Sequence, residues 1–149
     1  MSHKSCDAPS DATRACGPLA ELPAAVPLPA TAGDARGHVM RVLQERADRC
    51  GSVLGERVLA DLLIAVSELF TNATRHGGGV TRFEVGAWAG EVRVTVGDRS
   101  SDLPRRRSAT PAGGEGGYGW ALIRELATEV TLVLDRDGGK RITVSLPLT

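Results

Sequence analysis

The sequence predicts an α+β two-layer sandwich, with helices packed on one face of a mixed, mostly antiparallel sheet. Three observations carry this expectation. Residues 55–76 repeat apolar side chains at helical spacing, two strand pairs alternate apolar and polar residues around short glycine turns, and helices and strands are interspersed along the chain. The order reads strand, helix, helix, strand, strand, helix, strand, strand, without an internal repeat.

The chain has 149 residues, 42% of them hydrophobic, which is enough for one domain with a real core. Eighteen Lys and Arg balance eighteen Asp and Glu, so the whole-chain charge carries no footprint of direct nucleic-acid or membrane binding. Lys4 and Lys140 are the only lysines. Cys6, Cys16 and Cys50 are odd in number and lack CxxC spacing, which fits reduced thiols in a cytoplasmic protein. Neither a signal peptide nor a run of about eighteen apolar residues is visible.

Residues 1–22 mix Ser, Asp, Ala, Pro and Gly without periodicity and read as a disordered leader to a domain at 23–149. "AAVPLPAT" (24–31) reads as a short edge strand, because its prolines bar a central position. Val39, Leu43, Ala47 and Cys50 recur at helical spacing, giving a first helix at 34–49 stopped by Gly51. The second helix, 55–76, carries a broad apolar stripe of Leu59, Leu62, Leu63, Val66, Leu69, Phe70 and Ala73, and "GGG" at 77–79 supplies its C-cap. Strands follow at 80–88 and 91–97, joined by "AG", with Val92, Val94 and Val96 alternating against Arg93 and Thr95. Between 98 and 118 no period is visible. That stretch holds Arg105, Arg106, Arg107 and "GGEGGYG", the marks of a long functional loop. A third helix, 119–128, and two strands, 130–135 and 140–146, flanking "RDGG", complete the domain.

Placed at about 100° per residue, Glu68, Asn72 and His76 share an arc of about 80° with Asp61, opposite Leu59, Val66 and Ala73. Such an arc is either the solvated side of an amphipathic helix or one wall of a site. As a wall it has chemistry: an amide oxygen such as that of Asn72, with substrate phosphates, suits Mg²⁺, and Glu68 one turn earlier can take a proton from an attacking hydroxyl or water. His76 serves equally as a capping residue. Asp98 ends a strand of alternating valines; there it either starts a turn or accepts a hydrogen bond from an exocyclic amine such as that of adenine. "GGEGGYGW" (113–120) puts glycines directly before a helix, which exposes backbone amides to a phosphate, though it is neither a P-loop nor a dinucleotide fingerprint.

Taken in series, "SELFTNATRHG", "VTVGDRSSDLP", "GGYGWALIRELA" and "GGKRITVSLPL" resemble the Bergerat-fold ATP-binding superfamily, and within it the small single-domain anti-sigma-factor serine/threonine kinases. The resemblance covers 24–149. It implies an ATP site under a lid, with Glu68 as general base, Asn72 as Mg²⁺ ligand, His76 closing the same box, Asp98 reading the adenine amine, and Gly117 and Gly119 near the phosphates. Thr143, on the last strand with Arg141, stands in for a threonine that the family carries near position 141. Ser100 takes the place of a usual glycine, Tyr118 of a frequent arginine and Trp120 of a common leucine. The resemblance further implies phosphoryl transfer to a STAS-type anti-sigma antagonist, binding of a sigma factor, and a homodimer. A different class of function is a module that binds ATP without catalysis, or no nucleotide, and acts by sequestering a protein partner.

Overall fold

A computed structural model describes residues 27–51, 53–88, 90–104 and 119–149. In chain order these form α1 (Ala32–Cys50), α2 (Glu56–His76), β1 (Val80–Trp88), β2 (Glu91–Asp98), α3 (Gly119–Leu126), β3 (Glu129–Leu134) and β4 (Lys140–Pro147). The leader at 1–22 and the loop residues Arg105, Arg106, Arg107, Gly117 and Tyr118 lie outside the described residues.

The expected edge strand at 24–31 is not found over its described part, 27–31. Pro27 and Pro29 both lack the N–H that a strand would offer on one edge. Thr31 instead starts α1 with a capping box. Its hydroxyl accepts the Asp34 N–H at 3.1 Å while its own N–H donates to the Asp34 carboxylate at 3.0 Å, so the helix begins before Asp34. Gly51 closes α1 in the left-handed region, φ 63°, donating to the Ala47 carbonyl. Cys50, the last residue of α1, is disulfide-bonded, against the expectation of three reduced thiols.

The stripe on α2 packs as its spacing predicts, with Leu62, Ala65, Val66, Leu69, Phe70 and Ala73 buried. Its C-terminus is more elaborate than a single cap. Gly77 keeps an ordinary φ of −101°, the left-handed residues are Gly78 and Gly79, and both Gly77 and Gly79 donate to the Ala73 carbonyl.

The sheet runs β1-β2-β4-β3 and every neighbouring pair is antiparallel, so the expected mixed character resolves to a purely antiparallel sheet among the described strands. Alternation sets one face toward the helices, in cross-strand rows. Ala87, Val92 and Leu146 make one row; Val85, Val94, Val144 and Val130 the next; Phe83, Val96, Ile142 and Leu132 the third. Helix α2 lies on β1 and β2, α1 on α2 and β1, and α3 on α2 and β4. The other face is polar: Thr95 and Thr143 share a hydroxyl hydrogen bond of 2.9 Å, and Arg93 donates to Ser145.

At the α1–β1 contact the His38 ring meets Phe83 edge to face at 5.7 Å, and Phe83 meets Phe70 the same way at 6.4 Å. Burial, reinforced by the Arg41 charge and opposed by Glu45, holds the His38 imidazole below its usual value of 6.5. The folded chain therefore favours the neutral ring, and as pH falls the unfolded chain takes up this proton first. Stability from this group is full above pH 6.5 and declines as pH drops through the lowered folded value. His38→Phe is expected to flatten that part of the acid slope, read from urea unfolding at about pH 7.5 and about pH 5.5. Leu62, 2% exposed, anchors α2 to the core; Leu62→Ala is expected to lower the unfolding free energy by about 2–5 kcal/mol in the same titration.

Candidate functional site

The polar arc of α2 is only partly solvated. Glu68 and Asn72 are half-buried and His76 is exposed. No described residue forms a hydrogen bond with any of the three side chains. Helix α3 begins directly on Glu68: a Cβ at Gly119 would overlap the Glu68 side chain, with Oε2 its nearest atom. Any other residue at 119 would displace the Glu68 side chain from this position, so glycine is what lets the two meet. The first turn of α3 contains no acid of its own, and Glu68 brings one to its positive end from the neighbouring helix. The start of α3 thus faces the α2 arc at Glu68.

The other arm is the end of β2. Alternation puts Asp98 on the helix-side face, one row beyond Phe83, Val96, Ile142 and Leu132. Its partner in register is Lys140, on the same face of β4. Lys140 Nζ donates to Asp98 Oδ1 at 3.0 Å and to the Ser100 carbonyl at 3.2 Å, and lies 2.9 Å from Asp98 Oδ2 in the same ion pair. Both residues are buried, at 6% and 5% exposure, so the pair is shielded from screening. Ser100 completes the arrangement by donating its N–H to Asp98 Oδ1 at 2.9 Å, while its hydroxyl accepts the Asp102 N–H. The Ser100 side chain thus adds one hydrogen bond to this turn.

These arms are joined at the C-terminus of α2. A Cβ on Gly77 would overlap the Asp98 side chain, so the first of the three glycines allows close approach as well as ending a helix. The Arg99 N–H donates to the Gly77 carbonyl at 2.8 Å, and the Arg99 guanidinium reaches the Gly78 carbonyl. Glu68 and Asn72 thus lie along the same helix whose end rests on Asp98, with Glu68 about 13 Å from Gly77 along the axis at 1.5 Å per residue.

Of the residues singled out from sequence, Glu68, Asn72, Asp98 and Gly119 are brought to the helix-side layer of the fold, and His76 to the exposed last turn of α2. Thr143 is not among them. It points to the opposite face of the sheet, where its hydroxyl is taken by Thr95, because it is one residue out of phase with Ile142 and Val144. Gly117 lies outside the described residues. Sequence reasoning missed Gly77 as a contact and Lys140 as a partner. A signal for Lys140 existed: positions 140, 142, 144 and 146 form the apolar phase of β4, and 92, 94, 96 and 98 that of β2, so each strand carries one charge, of opposite sign, in its core phase.

Helices on one face of a four-stranded antiparallel sheet put the chain in the two-layer α+β class. The chain belongs to the histidine kinase-like ATPase domain family, whose model matches residues 28–146. ATP is accordingly the ligand of its class. Among curated proteins none matches. Solved structures similar to it include a blue-light activated histidine kinase, EL346, of Erythrobacter litoralis, with TM-score 0.48 and 19% identity over 76% of this chain and 42% of that one. The catalytic domain of the histidine kinase ThkA aligns with TM-score 0.47 and 13% identity over 80% of this chain and 94% of that one. The chain thus spans less than half the length of the whole EL346 kinase chain. Among the described residues no helix is long and apolar enough to cross a membrane.

Removing one member of a buried ion pair strands the other's charge. Lys140→Met is expected to cost about 3–5 kcal/mol of unfolding free energy, and adding Asp98→Leu to recover most of it. A double-mutant cycle in urea checks both.

Proposed function

We propose that this domain binds ATP with Mg²⁺ and is a cytoplasmic protein serine/threonine kinase. On this reading it phosphorylates a STAS-type anti-sigma antagonist and regulates a sigma factor by partner switching, as a homodimer. The observation that carries the reading is the seating of Gly119 on Glu68, with Asn72 one turn further along. It sets a half-buried carboxylate at the positive end of a helix, where phosphates and an attacking hydroxyl would meet.

Each residue has a role that follows from its chemistry. Asp98 accepts the adenine amine, and the length of α2 between Gly77 and Glu68 separates base from phosphates. Glu68 takes the proton of the acceptor serine or threonine hydroxyl, whose oxygen forms the new bond to the γ-phosphorus as the β–γ bridging oxygen leaves with ADP. Gly119, with Gly117 before it, brings backbone N–H groups to the phosphates, and His76 lies beyond Asn72 at the rim. Thr143, on the far face of the sheet, takes no part.

The donor set fits Mg²⁺ held largely by substrate. No group of three or more His, Cys, Asp or Glu side chains able to hold a metal occurs among the described residues, and an amide oxygen beside a carboxylate suits a hard cation that keeps phosphate and water ligands. Asn72 would hold the ion, which when bound neutralises charge on the phosphates.

One observation favours the second reading, a non-catalytic ATP-binding or nucleotide-free module that sequesters a regulatory protein. Asp98 is already paired with Lys140, which leaves it less acceptor capacity for a base. The two readings part in a transfer assay with γ-labelled ATP, Mg²⁺ and candidate STAS-domain proteins. The kinase reading expects label on the antagonist, reduced about 10²–10⁴-fold by Glu68→Gln while ATP binding measured by calorimetry is largely retained. Transfer unchanged by that substitution removes Glu68 from the mechanism, and ATP binding with no transfer to any antagonist establishes the second reading.

A further inference from the structure

We infer that Lys140 is a positioning residue for base recognition: by holding Asp98 from one side it leaves the carboxylate a single acceptor direction, and so makes the site select a purine with an amine at C6. The inference rests on the ATP-binding reading above and concerns a residue that reading does not use.

A carboxylate offers about four acceptor sites, two on each oxygen. Oδ1 of Asp98 receives the Ser100 N–H at 2.9 Å and Lys140 Nζ at 3.0 Å, which fills it. Oδ2 lies against the Lys140 ammonium on one side, 2.9 Å away, and is otherwise unclaimed by any described donor. Gly77 packs against the same oxygen, the side chain is 6% exposed, and Gly139, immediately before Lys140, abuts the Asp98 backbone carbonyl. With backbone on two sides and an ammonium on a third, a carboxylate that turned away would leave the buried Lys140 without its counter-ion.

Lys140 donates only, so whatever atom faces it must accept. With aspartate at 98, both oxygens accept and the outward site is an acceptor as well. It takes a hydrogen bond from an amine and repels the carbonyl oxygen that hypoxanthine or guanine carries at C6. Without Lys140 the Ser100 N–H is the only described donor left on the carboxylate, which is then freer to turn, and this blurs the distinction between amine and carbonyl.

Asparagine at this position would face the same two donors. Lys140 and the Ser100 N–H would both require the amide oxygen, so the NH₂ would be forced outward. Asp98→Asn is then expected to turn the preference from amine to carbonyl, and only while Lys140 is present.

The test is the ratio of ATP to ITP affinity, measured by calorimetry with Mg²⁺ on the full chain. Wild type is expected to favour ATP, and Lys140→Met to reduce the ratio about tenfold, the worth of one charge-assisted hydrogen bond. A purely structural role for Lys140 would weaken both nucleotides alike and leave the ratio unchanged, which overturns the inference. If Lys140→Met does not fold, a second pair decides. Asp98→Asn should prefer ITP and Asp98→Asn/Lys140→Met should show no preference, whereas equal ratios in the two overturn the inference. A wild type that binds ATP and ITP equally overturns the inference and leaves ATP binding standing. A wild type that binds neither overturns both.

Discussion

The rows of apolar side chains that hold α2 to the sheet end in a row of charge, Asp98 opposite Lys140. Burying two ions costs several kcal/mol each, and only close pairing with further hydrogen bonds offsets it. Here the offset comes from the close ammonium, the Ser100 N–H and the Ser100 carbonyl. A substitution for packed apolar residues would serve stability as well or better. The pair is therefore better understood as fixing a geometry. It pins the end of β2 to the start of β4, two strands joined in the chain only through α3 and β3.

Close approach by glycine does the complementary work. Gly77 lets the end of α2 rest on Asp98, and Gly119 lets the start of α3 rest on Glu68. These two contacts place the acid of one helix at the positive end of another, and the strand-end carboxylate beneath the same helix's C-terminus. The site is thereby a product of three elements meeting around α2, with the apolar stripe of α2 determining which way its polar arc faces.

Much of this was legible. The 3.6-residue period of Leu62, Val66, Leu69, Phe70 and Ala73 reports packing directly, and so does the alternation of Val92, Val94 and Val96, because burial of one face imposes both. Prolines 27 and 29 misled for a physical reason: their restricted backbone suits an edge strand and a helix entry equally, and the capping box of Thr31 and Asp34 decided for the helix. Thr143 was assigned by likeness of residue type. Its phase relative to Ile142 already put it on the polar face, where Thr95 receives it.

By itself, then, the sequence determined the helices, the strand pairs about their turns, and the shared arc of Glu68 and Asn72, since each depends on residues within a few positions of one another. Only the tertiary structure decided that β2 pairs with β4, that Lys140 meets Asp98, and that Gly119 lies on Glu68. Those contacts join residues 42 and 51 positions apart, and no local period encodes them. Strand order and helix docking set them, through the requirement that every apolar row be covered and every buried charge be paired.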